Sequence, residues 1–518
     1  MLHYTYLALV AVGGFIVFSK LSFWIKKRRF IASHGVKDPV QKPSYFPLGL
    51  DNLLVVFMGR YAVVRANFEE YGHTYAVSIL GDTTITTREP KNVQAVLATQ
   101  FKDFGISARK HKPFSPLLGD GIFTMDGHAW EVSRALLRPQ FARSQITQLE
   151  NIEEHLQVLM DCIPEGESVD LQELFFELTI DSATHFLFGE SCGALEKRRN
   201  VLKKGQEIGE EELGPKFAKS FTAAQDYLVT RFFLRDLCSL YNPKEFKEVT
   251  KFIHEFVGGY VQRALEVQKN APDKKDDPEK LEKYVFLEAL AKETQDPVIL
   301  RDSLLNILLA GRDTTASLLA WVFYLLVRYP EIEKKLRAVI EEQFGGEGDG
   351  ETKPITFTTL KNCVYLRWVV DETLRMYPTV PINSRTAVVD TTIPLGGGPD
   401  QKSPLFIPKG TSIEYMVYAM HRREDIWGAD ANWFRPERWG ERRNCKEFNN
   451  FEFLPFNAGP RICLGQQFAL TETYYTIVRM FQRFRRFENA ELNQFVRCNQ
   501  TLTMAVGGQG TLVRCYRA

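Results

Sequence analysis

The chain has 518 residues, enough for two or more average domains or for one large core, and no internal repeat is visible. Hydrophobic residues at 44% and charged residues at 25% are ordinary for a globular protein, and 65 Lys and Arg against 64 Asp and Glu leave a net charge of +1. That balance excludes the basic footprint of a nucleic-acid-binding protein, so no nucleic acid is expected as a partner.

Residues 4–25 are almost wholly apolar, interrupted by Ser19, Lys20 and Ser22, and end against Lys26-Lys27-Arg28-Arg29. About 22 residues at ~1.5 Å rise span ~33 Å, enough for a bilayer core, so residues 1–29 read as a membrane anchor and its basic stop. The basic cluster puts the C-terminal side in the cytosol. A cleavable signal peptide is the alternative, but its basic residues would precede the apolar run. Residues 30–50, with Pro39, Pro43 and Pro47, read as a stiff linker. The alternation of Tyr75, Val77 and Ile79, punctuated by Gly81-Asp82 and followed by threonines, predicts a hairpin.

From residue 92 to 260 the apolar spacing is mostly helical, and the charged, proline-bounded stretch 270–278 predicts a solvated loop, as does 345–354. A very long helix is expected from 298 to 329, opening at Asp296-Pro297 and closing before Pro330. Its apolar centre resembles a second membrane span, but Arg312 and Asp313 would each cost ~2.5–3.5 kcal/mol in lipid, which favours a buried core helix. The last third mixes proline- and arginine-rich sequence with short strands such as 502–506. Eight cysteines at 162, 192, 238, 363, 445, 463, 498 and 515 form no C-x-x-C pair and no zinc-like cluster. A reduced, cytosol-facing catalytic region follows.

One cysteine stands apart. Phe456-Asn457-Ala458-Gly459-Pro460-Arg461-Ile462-Cys463-Leu464-Gly465 sets Cys463 in a loop bounded by Gly459 and Gly465, whose tight turns are expected to free backbone N–H groups that stabilise a thiolate. A chance match to F-x-x-G-x-R-x-C-x-G in a chain this long is improbable, on the order of one in ten thousand. An isolated buried cysteine is the structural alternative. The segment resembles the haem-ligand loop of the cytochrome P450 family, and the resemblance implies haem b (iron protoporphyrin IX) with Cys463 as the axial iron ligand.

Other segments carry the same resemblance in the expected order. Ala310-Gly311-Arg312-Asp313-Thr314-Thr315 is similar to the family's oxygen-activation motif and implies proton relay by Thr314 with Asp313, for which a hydroxyl that both donates and accepts is suited. Against this stands a mid-helix threonine bonded to the carbonyl four residues earlier. Glu372-Thr373-Leu374-Arg375 and Phe434-Arg435-Pro436-Glu437-Arg438-Trp439 resemble the family's E-x-x-R and P-E-R segments, implying a buried structural network of Glu372, Arg375 and Arg438. Trp439 stands where phenylalanine is common. Trp130, Arg134, Arg385 and Arg461 match positions that hold the haem propionates, a task for which arginine forks are suited.

The resemblance implies a mainly α protein with small β-sheets in the cytochrome P450 fold: anchor at 1–29, proline-containing linker at 30–50, one large haem-thiolate monooxygenase domain at 51–518. Leu118-Gly119-Asp120-Gly121-Ile122-Phe123-Thr124 and Gly396-Gly397-Gly398-Pro399-Asp400 look like the fungal branch that hydroxylates n-alkanes and fatty acids near the terminal carbon. The basic run Arg109-Lys110-His111-Lys112 would then border the substrate and hold a carboxylate. Implied partners are O2, a lipophilic substrate, the endoplasmic reticulum membrane and a separate NADPH-cytochrome reductase. Oxidative tailoring of a secondary metabolite, a haem-thiolate peroxide isomerase or lyase, and a non-enzymatic haem sensor are the rival readings. Thr314 argues against the last two.

Overall fold

The computed structural model describes residues 35–517 except 58–60, 107, 142–148, 205–211, 271–284, 347–352, 443–449, 493–495 and 501, with Gly14, Phe18, Leu21, Arg28 and Ser33 before them. The anchor at 1–29 therefore lies almost wholly outside the described residues, as do most of the charged stretch 270–278 and Cys445. Among the described residues no helix is long and apolar enough to cross a membrane. The chain forms two compact units, the first made of Met1–Gly105, Asn383–Met416 and Ala458–Pro460, the second of Ile106–Ile382, Val417–Asn457 and Arg461–Ala518.

The first unit is built on a six-stranded sheet in the order Val40–Gln41, Thr74–Ile79, Asp82–Thr87, Ser412–Tyr415, Asn383–Ala387, Phe104–Gly105. The expected hairpin is Thr74–Ile79 against Asp82–Thr87, with Thr74 opposite Thr87 and Ile79 opposite Asp82. Leu80 and Gly81 form its two-residue turn, both at positive φ (53° and 85°), the sense that matches strand twist. Alternation would leave one strand face in solvent, yet Thr74 and Ala76 are buried along with Tyr75, Val77 and Ile79. Small side chains on the second face allow that packing. Within the proline-containing segment, Val40–Gln41 pairs in parallel with Tyr75 and Ala76, and Lys37 and Pro39 bridge to Leu405 and Gly397. The prolines keep this strand to two residues without preventing its docking.

The second unit is helical. Its principal helices are α1 (Ala108–Leu118), α2 (Gly127–Leu137), α3 (Leu171–Phe188), α4 (Leu213–Phe233), α5 (Lys244–Asn270), α6 (Pro297–Leu326), α7 (Val364–Met376) and α8 (Gln466–Arg483). The Asp296 carboxylate caps α6 by accepting the Val298 and Ile299 N–H groups at 2.8 and 3.3 Å, with Pro297 at the first helical position. Apolar residues of α1, α3, α4, α5 and α6 form one core with Phe217, Phe221, Phe246, Leu304 and Leu308 fully buried. Near its far end α6 is pinned by the Met504 carbonyl, which accepts from Ser317 Oγ at 2.5 Å and Trp321 Nε1 at 2.8 Å.

Candidate functional site

Cys463 sits two residues before the capping residue of α8, at the positive end of a helix dipole. Its N–H donates to the Phe456 carbonyl at 3.0 Å, which closes the loop. The left-handed turns come from Asn457 at φ 62° and Gly459 at φ 69°. At Gly459 a Cβ would lie 1.9 Å from the Leu97 carbonyl oxygen, so only glycine fits. Gly465 departs from the expected role: its φ is −85°, and it serves instead as the cap of α8 and as an N–H donor to the Cys463 sulfur. Cys463 has accessible surface although protein encloses it, so it faces an interior recess. Burial pushes its thiol up, while the Gly465 N–H and the Arg134 charge pull it down.

On α6 the residues from Asp302 to Leu326 are buried except Ile307, Leu309, Ala310, Gly311 and Thr314. Ile307, Ala310, Gly311 and Thr314 fall at i, i+3, i+4 and i+7, a single accessible stripe on an otherwise enclosed helix. A Cβ added to Gly311 would meet no atom within 4 Å. Ile307 and Leu309 pack against the same core as Leu464 and Phe468, which follow Cys463. Thr314 Oγ1 donates to the Ala310 carbonyl at 2.8 Å, leaving its lone pairs to accept. Asp313 lies off the stripe. It accepts from Arg312 Nη1 at 2.9 Å, while Arg312 Nη2 donates to Thr222 Oγ1 on α4 at 2.8 Å. Burial pushes the Asp313 carboxyl up, Arg312 opposes this, and Asp226 adds to it.

Trp130, Arg134 and Arg461 come together. The guanidinium carbons of Arg134 and Arg461 lie 5.8 and 4.2 Å from the Trp130 ring centroid. Sequence reasoning missed Asp126, the residue before α2, whose Oδ1 accepts from Arg461 Nη2 at 2.7 Å and from the Ile106 N–H at 2.8 Å. Arg385 belongs to the other unit, where its Nη1 donates to the Ser384 carbonyl at 2.8 Å. Of the basic run in α1, Arg109 lies 3.9 Å from Asp236 and His111 2.8 Å from Asp120, so two of its four members face carboxylates of the chain.

Glu372, Arg375 and Arg438 form one buried network, exposed by 0, 0 and 2%. Arg375 Nε and Nη2 each donate to Glu372 at 2.9 Å, and Arg438 Nε donates to its Oε1 at 2.9 Å. Arg438 also meets Asp430 at 3.0 Å, and Asp430 in turn accepts from Arg435 Nε at 2.6 Å, so the network continues outward to a third arginine. The Trp439 indole N–H donates to Glu372 Oε2 at 3.1 Å, a bond phenylalanine cannot make. Arg375 Nη1 donates to the His421 and Ala431 carbonyls, both at 2.7 Å, and Nη2 also reaches the Trp433 carbonyl at 3.2 Å. His421 accepts the Leu454 N–H at 2.9 Å, and burial pushes its imidazole down to about 3, so it is a neutral strut.

Two observations in the second unit fit a bound prosthetic group: Cys463 is accessible at depth, and open space lies over Gly311. Within the first unit, Arg385 is 4% exposed with an Nε that has no hydrogen-bond partner among the described residues. A haem propionate is the kind of acceptor that a buried guanidinium donor requires.

The family model described as Cytochrome P450 matches residues 41–506. The chain is 46% identical over 492 residues to cytochrome P450 52A13 of Debaryomyces hansenii, with 92% of each covered. It is 45% identical over 510 residues to cytochrome P450 monooxygenase g430 of Fusarium sp, covering 95% of this chain and 87% of that protein. It is 43% identical over 497 residues to cytochrome P450 52A6 of Candida tropicalis, covering 93% and 91%. Among solved structures, the cytochrome P450DA heme domain matches in fold with a TM-score of 0.72 at 21% identity, over 93% of this chain and 98% of that one.

Proposed function

Because the chain belongs to the cytochrome P450 family, whose members are haem b monooxygenases, we propose that it hydroxylates a long-chain fatty acid or alkane at or near the terminal carbon. Cys463 ligates the iron in this reading, and Trp130, Arg134, Arg461 and Arg385 receive the propionates. When bound, the haem supplies the iron at which dioxygen is activated for insertion into a C–H bond.

The chain's own groups do the rest. The Thr314 hydroxyl is the one proton-transferring side chain on the accessible stripe of α6, and it accepts one proton while passing on another. Asp313 stands next to it in the chain, paired with Arg312 on the α4 side, and is the acid through which the relay continues in this reading. Glu372, Arg375 and Arg438 fix the chain that leads to the Cys463 loop. Ile307, Ala310 and Gly311 offer no side-chain hydrogen bond, so the stripe favours a hydrocarbon chain over a polar substrate.

Residues 4–25 anchor the enzyme in the endoplasmic reticulum membrane, and an NADPH-cytochrome reductase of that membrane delivers electrons singly. The accessible stripe of α6, in a helix that shares its core with Leu464 and Phe468, is the single observation that carries the reading. Product analysis of reductase-supplemented membranes offered alkanes and fatty acids tests it. Terminal or near-terminal alcohols are expected, and absence of oxidation in both classes would contradict it.

A further inference from the structure

The segment between α1 and α2 is joined to α6 through two side chains with no part in the reading above. Asp302 on α6 is 3% exposed, and its Oδ2 accepts the Asp120 N–H at 3.0 Å. Its other oxygen takes Arg301 Nε and Nη2 at 2.9 and 2.7 Å. One turn on, Asn306 is fully buried; its Nδ2 donates to the Leu118 carbonyl at 2.9 Å and to the Asp302 carbonyl at 2.8 Å, and its Oδ1 accepts the Phe123 N–H at 3.2 Å.

The loop is shaped for these two side chains. Gly119 lies at φ 60°, where a Cβ would stand 1.9 Å from Asp302 Oδ2, and a Cβ on Gly121 would stand 2.4 Å from Asn306 Nδ2. Thr124 Oγ1 closes the loop on itself, accepting the Gly121 N–H at 2.8 Å and donating to the Gly119 carbonyl at 2.9 Å. Leu118-Gly119-Asp120-Gly121-Ile122-Phe123-Thr124 thus has a physical meaning: both glycines are contact points for an acid and an amide on α6.

Asp302, Asn306, Ala310 and Thr314 recur every four residues and form one ridge of α6. The ridge is buried under the loop at its first two members and accessible at the next two. Asn306 holds the Phe123 backbone about 6 Å, four residues of helical rise, before Ala310. Ile122 is half-buried against the core and Phe123 is exposed.

We propose that Asp302 and Asn306 are positioning residues that clamp residues 119–123 at the end of the accessible stripe, where the loop forms the wall against which a hydrocarbon chain stops. The stop selects the carbon presented over Thr314. This rests on the proposed lipid-oxidising function for the substrate, while the clamp is independent of it.

Asn306→Ala removes the clamp from the helix side, and Gly121→Ala displaces it from the loop side with α6 unchanged. The test uses the full-length holoenzyme. Amide hydrogen exchange over residues 118–126 should accelerate about tenfold in both variants, with 466–483 unaltered. The ratio of terminal to inner hydroxylation of dodecanoic acid should fall at least about threefold in both. Unchanged exchange at 118–126 in both variants overturns the clamp. Faster exchange with an unaltered product ratio overturns the positioning role. If the wild type oxidises neither dodecanoic acid nor dodecane, the substrate reading falls, and exchange alone then supports or overturns the clamp.

Discussion

Arg461 and Asp126 are joined across 2.7 Å, from the loop that carries Cys463 to the residue capping α2, while the Arg461 guanidinium lies over the Trp130 ring. The carboxylate and the indole together fix the direction of a guanidinium that stands two residues from the cysteine. Asp126→Ala removes both this partner and the acceptor of the Ile106 N–H. Stability should fall by about 1–3 kcal/mol. Haem retention after gel filtration should fall with it, read as the Soret-to-protein absorbance ratio.

Trp439 donates into a buried carboxylate that already serves two arginines. Trp439→Phe keeps most of the packing and removes one donor, so a loss of about 1–2 kcal/mol is expected in denaturant unfolding. Arg438→Leu takes one of the two guanidiniums from Glu372 and leaves the Trp427 and Asp430 carbonyls without their buried donor, and should cost about 3–5 kcal/mol. Equal effects of the two substitutions would contradict the larger role of Arg438 in the network.

Glu472 on α8 is fully enclosed and accepts from the Ser182 hydroxyl, and burial pushes its carboxyl from 4.5 up to about 7. Between these values the native state keeps a proton that the unfolded chain has released. Its stabilising contribution is therefore complete below about 4.5 and lost as pH rises through about 7, on the order of 3 kcal/mol. Glu472→Gln should remove that slope. The difference between the wild-type and variant Tm curves from pH 4.5 to 8 measures it, and parallel curves would contradict the assignment.

Thr314→Ala removes a back-bond to Ala310 that contributes little to the helix, so folding and haem binding should be unaltered. The coupling of NADPH oxidation to product should drop, with the electrons appearing as hydrogen peroxide or water. Unchanged coupling would remove Thr314 from the proton path.

The sequence was most informative where the chemistry lies in adjacent residues. The i, i+3 pair Glu372 and Arg375, the Cys463 loop and the interrupted apolar run of α6 are all local patterns, and each occupies the element it predicted. Asp126, Asp302 and Asn306 were not legible because their partners are remote: Asp120 and Asp302 are separated by 182 positions. Nothing in either neighbourhood marks such a pair. Gly465 shows a different limit. A glycine in a loop pattern reads as a turn, but its φ of −85° could suit any residue, and the left-handed turn fell to Asn457 instead.

The identity of the thiolate is the claim on which the rest depends. Cys463→Ala and Cys162→Ala provide the comparison, because Cys162 is buried with its thiol pushed up to about 11 and its Sγ donating to the Leu195 carbonyl at 3.8 Å. The carbon monoxide difference spectrum of the reduced protein should lose its thiolate-type band in Cys463→Ala and keep it in Cys162→Ala. A Cys463→Ala protein that retained the band would contradict the account.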